Sequence, residues 1–553
     1  MMTNHEIAMV DVFLGNLFYP DFNNNSFMFY NYHEDYQYDS CISKGICSIN
    51  PRTSSLREVL VMYLKQLAFY TLRLKHLGVK NSATEDIILN TLSGLMSNLE
   101  SGNKQFYQTL INLKTIIIES IETYDRICRE KNIPPKTVKS NIQLEKKDEI
   151  ADLIRLGEKE FSKKLKSLSE EKRNIYEIIF LILKSICINL VELKSYGIED
   201  SCGYSEILYL LNTINFPELS KRILLKKINI AVKIDYNLTE KIHKIREERF
   251  GKQTEAEVSY TTVPNKAILV AGTNIQELKN VLDATKDTNL DVYTHGEMIV
   301  AYTYPKFREY KNLKGQFGKG IEQCLLDFAT FPGSILIAKH SLENIEYLYR
   351  GRLFTTDNFV PQGVIQIKNN NFSQLINSAQ LARGFKRGKE MPSVKIGCSQ
   401  EELETKLSDF TNKINDYERV IILGTDAYAA EQLKYYDSLV KFADNKTCII
   451  SLSRFYNKPD FININSSPDF YMVYRVWDII KDTVKSKGIK VSLFLAKCDK
   501  HTISNIINLK HLGINNIFLS RCTPIMLNPT LTNTLNTLYG IHPTTNAKED
   551  IKN

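Results

Sequence analysis

The chain has 553 residues, of which 43% are apolar and 24% charged, the usual proportions of a globular protein with several domains. Its net charge of +8 is too dilute to indicate nucleic-acid binding, and no basic stripe with interleaved aromatic residues is present. The first 25 residues lack the basic start, apolar core and cleavage site of a signal peptide. The ten cysteines mostly occur singly in apolar segments, as buried free thiols do. We therefore expect a cytoplasmic protein.

The first 225 residues are predicted to be mainly helical. Apolar residues recur at helical spacing in Ser54–Gly78, and further helical stretches cover Phe106–Ile127, Ile150–Leu168 and Ile175–Leu193. The last stretch is nearly all apolar, but charged and polar residues interrupt it. This favours a buried helix of a bundle over a membrane span, so we predict no membrane partner.

After residue 225 short apolar runs alternate with amphipathic stretches, a pattern typical of buried parallel strands separated by helices. The predicted strands are Ala267–Ala271, Ser334–Ala338, Val364–Ile367, Arg419–Leu423, Thr447–Ser451, Val491–Ala496 and Asn516–Leu519. A polar segment near residues 369–402 divides them into two groups. The predicted fold is α+β and multidomain: a helical-bundle domain over residues 1–225, then two doubly wound α/β (Rossmann-like) domains over residues 226–380 and 381–553.

Gly272 and Gly424 directly follow predicted strands, where ligands gather in open α/β sheets. Neither glycine belongs to a glycine-rich nucleotide-binding motif. Cys41 and Cys47 form the one close cysteine pair, separated by five residues. The spacing alone leaves three interpretations of this pair open: free thiols, a redox disulfide, or half of a four-thiolate iron–sulfur site.

Two segments resemble the hybrid-cluster proteins, also called hydroxylamine reductases or prismane proteins. Residues 294–298 carry the family motif T-H-G-E-M, and residues 44–47 carry the K-G-[IV]-C that ends its N-terminal cysteine motif. The resemblance covers nearly the whole chain and is clearest from Arg249 onward. It implies a helical domain and two α/β domains that meet at a cluster cavity. It also implies reduction of hydroxylamine or nitric oxide, with a [4Fe–4S] or [2Fe–2S] cluster and a hybrid iron–sulfur–oxygen cluster as cofactors.

Most positions of the family's cluster ligands carry other residues in this chain. Glu297 falls on a ligand glutamate, and Asp499 on the position of a second one. Hydroxyl residues stand where the family has a ligand histidine or ligand cysteines: Thr273 for the histidine, and Ser341, Thr425, Ser451 (or Ser453) and Ser467 for cysteines. In the N-terminal motif, Tyr30 and His33 stand where the first two cysteines belong.

These replacements change the chemistry of the implied metal sites. Thiolate is a soft anionic ligand for iron, whereas a hydroxyl is hard, normally protonated and a poor ligand of iron–sulfur clusters. We therefore expect both clusters to be absent or incomplete, with Glu297, Cys41 and Cys47 as the remaining candidate metal ligands. Carboxylates alone favour Mg²⁺ or Mn²⁺. The competing interpretations are a hydrogen-bonding role for Glu297 and a core role for His295, and the cofactor remains unknown.

Three functions fit these observations. The first is a catalytically silent relative that works as a binding or regulatory scaffold for a protein partner. The second is an oxidoreductase that acts on hydroxylamine or nitric oxide with an altered metal site. The third is a protein that binds a small molecule in the former cluster cavity. The sequence leaves open whether the chain is an enzyme.

Overall fold

In the computed structural model the described residues are 51–95, 103–138, 149–318, 324–341, 347–424, 430–453, 456–465, 470–496, 499–520 and 529–551. The N-terminal part of this described chain is built from long helices. They are α1 (Pro51–His76), α2 (Ser82–Gly94), α3 (Asn103–Glu130), α4 (Ile150–Ser167), α5 (Glu170–Ser195), α6 (Ser201–Thr213) and α7 (Lys221–Phe250).

Helix α5 lies at the centre of this region. It packs against α2, α6 and α7, and its almost uniformly apolar sequence is buried on all sides. Within the described residues it is long and apolar enough to cross a membrane, by length and composition alone. The 94% burial of its most apolar stretch agrees with the predicted bundle helix.

Helix α7 carries the helical region further along the chain than the sequence pattern indicated. It continues without a break to Phe250, so the predicted domain boundary between residues 225 and 226 falls inside it. Gly251 ends the helix in a conformation with positive φ (88°). Charged residues alternate along α7 and obscure its apolar face in the sequence. That face nevertheless packs on α5 and α6.

The strands that follow form two larger sheets and one small antiparallel pair. In chain order they are β1 (Ala256–Val258), β2 (Ala267–Ala271), β3 (Asp291–His295), β4 (Leu313–Gln316), β5 (Ser334–Ile337), β6 (Leu353–Thr355), β7 (Ile365–Gln366), β8 (Val394–Ile396), β9 (Arg419–Leu423), β10 (Thr447–Ser451), β11 (Ile462–Asn463), β12 (Lys490–Leu495), β13 (Asn516–Leu519) and β14 (Ile541–Pro543). The β1–β8 pair links the two halves of the α/β region.

Each larger sheet is fully parallel and, within the described residues, has six strands. The first has the order β4-β3-β2-β5-β6-β7 and the second the order β11-β10-β9-β12-β13-β14. In each sheet the first strand in chain order lies in the middle. The next two strands are added on one side of it, and the chain then reverses, crosses over and adds the last three on the other side. This is the doubly wound order predicted from the sequence, in which ligands bind at the carboxyl ends of the two strands flanking the reversal. Those strands are β2 and β5 in one sheet, and β9 and β12 in the other.

Helices cover the faces of the two sheets, as parallel strands with apolar side chains on both faces require. The described helices of this region are α8 (Ile275–Thr285), α9 (Pro305–Arg308), α10 (Cys324–Thr330), α11 (Tyr347–Arg350), α12 (Ser373–Leu381), α13 (Gln400–Asn412), α14 (Ala430–Phe442), α15 (Tyr471–Lys487), α16 (Thr502–Leu512), α17 (Pro529–Tyr539) and α18 (Ala547–Asp550). Two 3₁₀ helices cover Gly296–Thr303 and Ile414–Asp416. One apolar core runs from the N-terminal helices into both sheets, so the three regions pack as a continuous body.

Candidate functional site

A cavity of about 100 Å³ lies where the helical region and the two α/β regions meet. Helices α5 and α7 form one wall, the segments that follow β2 and β3 form the second, and the starts of α15 and α16 form the third. Its described lining residues are Asn189, Glu192, Thr239, Ile242, His243, Arg246, Thr273, Glu297, Val300, Phe470, Tyr471, Asp499, His501 and Asn505. Three positions that the family resemblance assigns to cluster ligands, Thr273, Glu297 and Asp499, therefore share one cavity.

Thr273 reaches the cavity because the chain turns sharply at the end of β2. Gly272 has φ of 125°, and a β-carbon there would lie 2.7 Å from Cβ of Ala338 and 2.8 Å from Oγ of Ser341. Only glycine fits this position without strain. Asn274 then caps α8, its side chain accepting hydrogen bonds from the backbone N–H groups of Gln276 and Glu277. The turn and the cap together fix Thr273 at the cavity wall.

Glu297 is positioned by a comparable turn at the end of β3. Gly296 has φ of 61° and begins the 3₁₀ helix whose next residue is Glu297. His295, one residue earlier, does not line the cavity. Its Nε2 lies 2.9 Å from Oδ2 of Asp327, and its ring packs against Phe328. His295 is thus a buried core histidine, one of the two interpretations that the sequence allowed.

Asp499 lies at the start of α16 in the second α/β region. Its Oδ1 accepts hydrogen bonds from the backbone N–H of His501 and the hydroxyl of Thr502, both at 2.8 Å. The hydroxyl of Thr502 in turn accepts the backbone N–H of Asp499 at 2.8 Å. These contacts order the chain just before α16, so Asp499 has a structural role at this junction as well as a place in the cavity wall.

The remaining predicted positions are distributed differently. Ser341 follows β5 and lies against Gly272, close to Thr273. Ser451 is fully buried, and its hydroxyl donates to the carbonyl of Tyr456 at 2.6 Å, a contact between the end of β10 and the segment that leads to β11. Thr425, Ser467, Cys41 and Cys47 lie outside the described residues, as do Tyr30 and His33. From the cysteine loop we predict that Cys41, Cys47 and His33 lie within disulfide or metal-sharing reach of one another, and this stays a prediction.

Sequence reasoning missed the polar residues that the helices contribute to the cavity. Arg246 of α7 and Glu192 of α5 form a buried ion pair, with Nη2 of Arg246 2.6 Å from Oε1 of Glu192. The Tyr196 hydroxyl donates to the same carboxylate at 3.2 Å. The His243 ring stacks on Tyr471, with centroids 4.0 Å apart and planes 13° apart. The ion pair joins residues 54 positions apart, and the stacked rings belong to different regions of the chain, so no local motif marks them.

A second missed group lies behind the cavity wall, in the packing of α5, α7 and α16. Oδ2 of Asp235 accepts the hydroxyl of Ser185 at 2.5 Å, and Oδ1 accepts Nδ2 of Asn189 at 2.8 Å. Oγ of Ser185 lies 2.7 Å from Nδ1 of His501. Burial raises the pKa of Asp235, while nearby His501 and the hydrogen bonds from Ser185 and Asn189 lower it. Ser185 thus links a buried carboxylate to a histidine of the cavity by hydrogen bonds.

The donor atoms that the described residues bring to the cavity do not fit an iron–sulfur cluster. The described lining residues offer carboxylates, amides, hydroxyls and two imidazoles, but no thiol. Two described cysteines of the α/β regions, Cys398 and Cys448, are buried elsewhere, and burial raises the pKa of these thiols to about 11 and about 12. In the described part of the chain no three His, Cys, Asp or Glu side chains are grouped as a metal site. The soft, anionic ligands that such clusters require are missing from these residues.

Known proteins resemble the chain over almost its entire length. A sequence model of the Prismane/CO dehydrogenase family matches residues 37–509. The chain belongs to this family. Members among the curated relatives include the hydroxylamine reductases of Acidiphilium cryptum (23% identical), Thermodesulfovibrio yellowstonii (25%) and Gloeothece citriformis (26%). These matches cover 92–93% of this chain and 94–97% of the relatives.

A solved structure gives a weaker likeness. The alpha subunit of an acetyl-CoA synthase/carbon monoxide dehydrogenase matches 96% of this chain and 86% of its own length, with a TM-score of 0.45 and 10% identity. The family assignment rests on the sequence model and the full-length relatives. The cavity described above therefore lies in a member of the Prismane/CO dehydrogenase family.

Proposed function

We propose that this family member has lost both clusters and the reductase activity of its relatives. In this proposal it is a cytoplasmic binding or regulatory scaffold, without nucleic-acid or membrane partners, whose former cluster cavity takes a small molecule. The observation that carries the proposal is the shared cavity of Thr273, Glu297 and Asp499. Described residues of all three regions line it, and none of these lining residues carries a thiol.

The local structure around these residues supports a cavity kept for another purpose. Asp499 accepts hydrogen bonds from His501 and Thr502 at the start of α16, and Glu192 pairs with Arg246, so both carboxylates have structural contacts that need no metal. The hydroxyls of Thr273 and Ser341 stand at the positions of a ligand imidazole and a ligand thiolate. A protonated hydroxyl does not replace either ligand on an iron–sulfur cluster.

The alternative is an active oxidoreductase with an altered metal site. The full-length match to hydroxylamine reductases and the presence of Glu297 at a ligand position favour it. Under this alternative the ligands would come from Glu297, Asp499 and residues outside the described ranges.

A reductase assay separates the two proposals. The protein and the Thermodesulfovibrio yellowstonii hydroxylamine reductase are produced side by side under anaerobic conditions, and oxidation of a reduced viologen dye is followed with and without hydroxylamine. We expect hydroxylamine-dependent oxidation with the relative and none with this protein. Turnover by this protein that a Glu297→Gln substitution abolishes would establish the oxidoreductase instead.

A further inference from the structure

The hydrogen bonds behind the cavity fix the orientation and the protonation pattern of His501. Asn189 can only donate through its Nδ2, and Ser185 donates its single hydroxyl proton to the other oxygen of Asp235. The remaining contact of Ser185, to Nδ1 of His501, must therefore use a lone pair of the hydroxyl oxygen. Nδ1 of His501 carries the proton in this arrangement.

The opposite ring nitrogen, Nε2, is then a hydrogen-bond acceptor in the neutral imidazole. His501 lines the cavity, and within the described residues its Nε2 has no hydrogen-bond partner. Ser185 is fully buried and Asp235 is 1% exposed, so solvent does not compete for the contacts that hold the ring. The cavity thus presents an acceptor on a rigid support.

The charges on the described cavity walls favour a positive ligand. Three carboxylates line the cavity, those of Glu192, Glu297 and Asp499, against the single guanidinium of Arg246. Arg246 pairs with Glu192 at 2.6 Å, and its one positive charge leaves the three carboxylates in excess whichever of them it contacts. The excess of negative charge lies in a partly enclosed space, where electrostatic interactions are stronger than in water.

The third wall adds an aromatic surface. Phe470 and Tyr471 line it, and Tyr471 is held by its stacking on His243. Aromatic faces attract organic cations. The cavity of about 100 Å³ is several times the ~10–15 Å³ that one water molecule needs, so a ligand of several non-hydrogen atoms fits.

We propose that the cavity binds a small organic cation with a primary ammonium group. In this site Nε2 of His501 accepts an ammonium N–H, the carboxylates of Glu297 and Asp499 balance the charge, and the ring of Tyr471 faces the alkyl part. Ser185 and Asp235 are positioning residues that keep Nε2 an acceptor. The inference rests on the proposed function, because a cluster would occupy the same space.

Binding of ethylammonium chloride to the full-length, iron-free protein tests the site, measured by calorimetric titration and by the shift in melting temperature. Potassium chloride controls for ionic strength, and sodium acetate and ethanol are the anionic and neutral probes. We expect saturable binding of ethylammonium, with a rise in melting temperature, and no response to acetate or ethanol. An equal response to acetate, or none to ethylammonium, would overturn the inference.

Substitutions of His501, with a control substitution of His511, test whether His501 binds the ammonium group. His501→Phe removes the acceptor and should weaken ethylammonium binding at least about tenfold, the usual effect of losing a hydrogen bond to a charged group. His501→Gln restores an acceptor near the position of Nε2 and should recover part of this loss. His511→Phe, the matched control near the far end of α16, should bind like the parent protein. Equal binding by His501→Phe and the parent would contradict the assignment.

The role of Ser185 has a spectroscopic signature that a purely structural role would not produce. In protein labelled with ¹⁵N-histidine, the His501 signals, assigned by their loss in His501→Gln, should show the tautomer protonated at Nδ1. Ser185→Ala should shift the tautomer equilibrium and weaken ethylammonium binding. Unchanged histidine shifts would refute the positioning role. If Ser185→Ala does not fold, the pair of His501 variants still decides the recognition.

Iron analysis of the same preparation keeps the two proposals apart. Protein that contains clusters would refute the proposed function. Iron-free protein that does not bind ethylammonium would refute the ligand assignment alone.

Discussion

At the residue scale, Glu297 is the position at which the proposed loss of the metal is tested most simply. The turn at Gly296 brings its carboxylate to the cavity wall, where full burial without a partner would be costly. We expect Glu297→Gln to change the free energy of unfolding by only about 1–3 kcal/mol, the range for one altered hydrogen-bonding group, and to remove no visible absorbance.

Denaturant unfolding and absorbance spectra of the two proteins check this expectation. Glu309→Gln, on the exposed surface after α9, is the matched control and should stay within about 0.5 kcal/mol of the parent. Bleaching of a visible chromophore by Glu297→Gln would show that the carboxylate holds a metal centre.

Glu277 provides a pH-dependent test of the region beside the cavity. It lies in the first turn of α8, and burial raises its pKa to about 7, opposed by the hydroxyl of Thr356 and by Lys339. The Thr356 hydroxyl donates to Oε2 of Glu277 at 2.6 Å. The unfolded chain ionises near pH 4.5 while the folded protein keeps its proton. The contribution of Glu277 to stability is therefore lost progressively as the pH rises from about 4.5 to about 7.

Glu277→Gln keeps an acceptor for Thr356 but has no proton to lose. The free energy of unfolding of the variant, relative to that of the parent, should rise by up to about 3 kcal/mol between about pH 5 and about pH 8. Each pH unit between the unfolded-state and folded-state pKa values of Glu277 contributes about 1.4 kcal/mol. Denaturant unfolding at several pH values measures the difference. A difference that does not vary with pH would show that Glu277 titrates normally in the folded protein.

At the scale of elements, the junction between β2 and α8 controls the shape of the cavity. Gly272 has positive φ and contacts the segment that follows β5. Gly272→Ala should destabilise the fold by more than about 1 kcal/mol, since both the conformation and the space exclude a β-carbon. Gly351→Ala, where a β-carbon meets nothing within 4 Å, is the control and should be nearly neutral. Equal melting temperatures for the two variants would contradict the constraint placed on this turn.

The helices and strands also show which parts of the fold can be predicted from the sequence. Strands β2, β9, β10 and β13 occupy the predicted residues, because a strand buried on both faces appears as an unbroken apolar run. Strand β3 was not among the predicted runs. It contains Thr294 and His295, whose buried side chains are hydrogen-bonded to Gln316 and Asp327, more than 20 residues away. Such long-range compensation leaves no periodic signal.

The candidate site also contains some residues that the sequence predicts and others that it does not. The T-H-G-E-M motif led to Glu297, and the family pattern led to Thr273 and Asp499. The network of Ser185, Asp235 and His501 joins residues up to 316 positions apart, so only the folded chain brings them together.

At the scale of the whole molecule, the two sheets share one strand order and direct their reversal points toward the same junction with α5 and α7. The continuous core fixes their separation, so the cavity is a property of the packing of three regions. Family folds can keep such a cavity while the residues that line it, and the chemistry they support, change.

The proposed loss of the hybrid cluster from this cavity underlies both the proposed scaffold role and the proposed cation site. The iron and labile-sulfide contents of the protein test this loss directly. They are determined on protein purified anaerobically from cells that are able to assemble clusters. We predict a colourless protein with less than about one iron per chain. A brown protein with about seven to eight irons per chain, as two complete clusters would supply, would contradict the prediction.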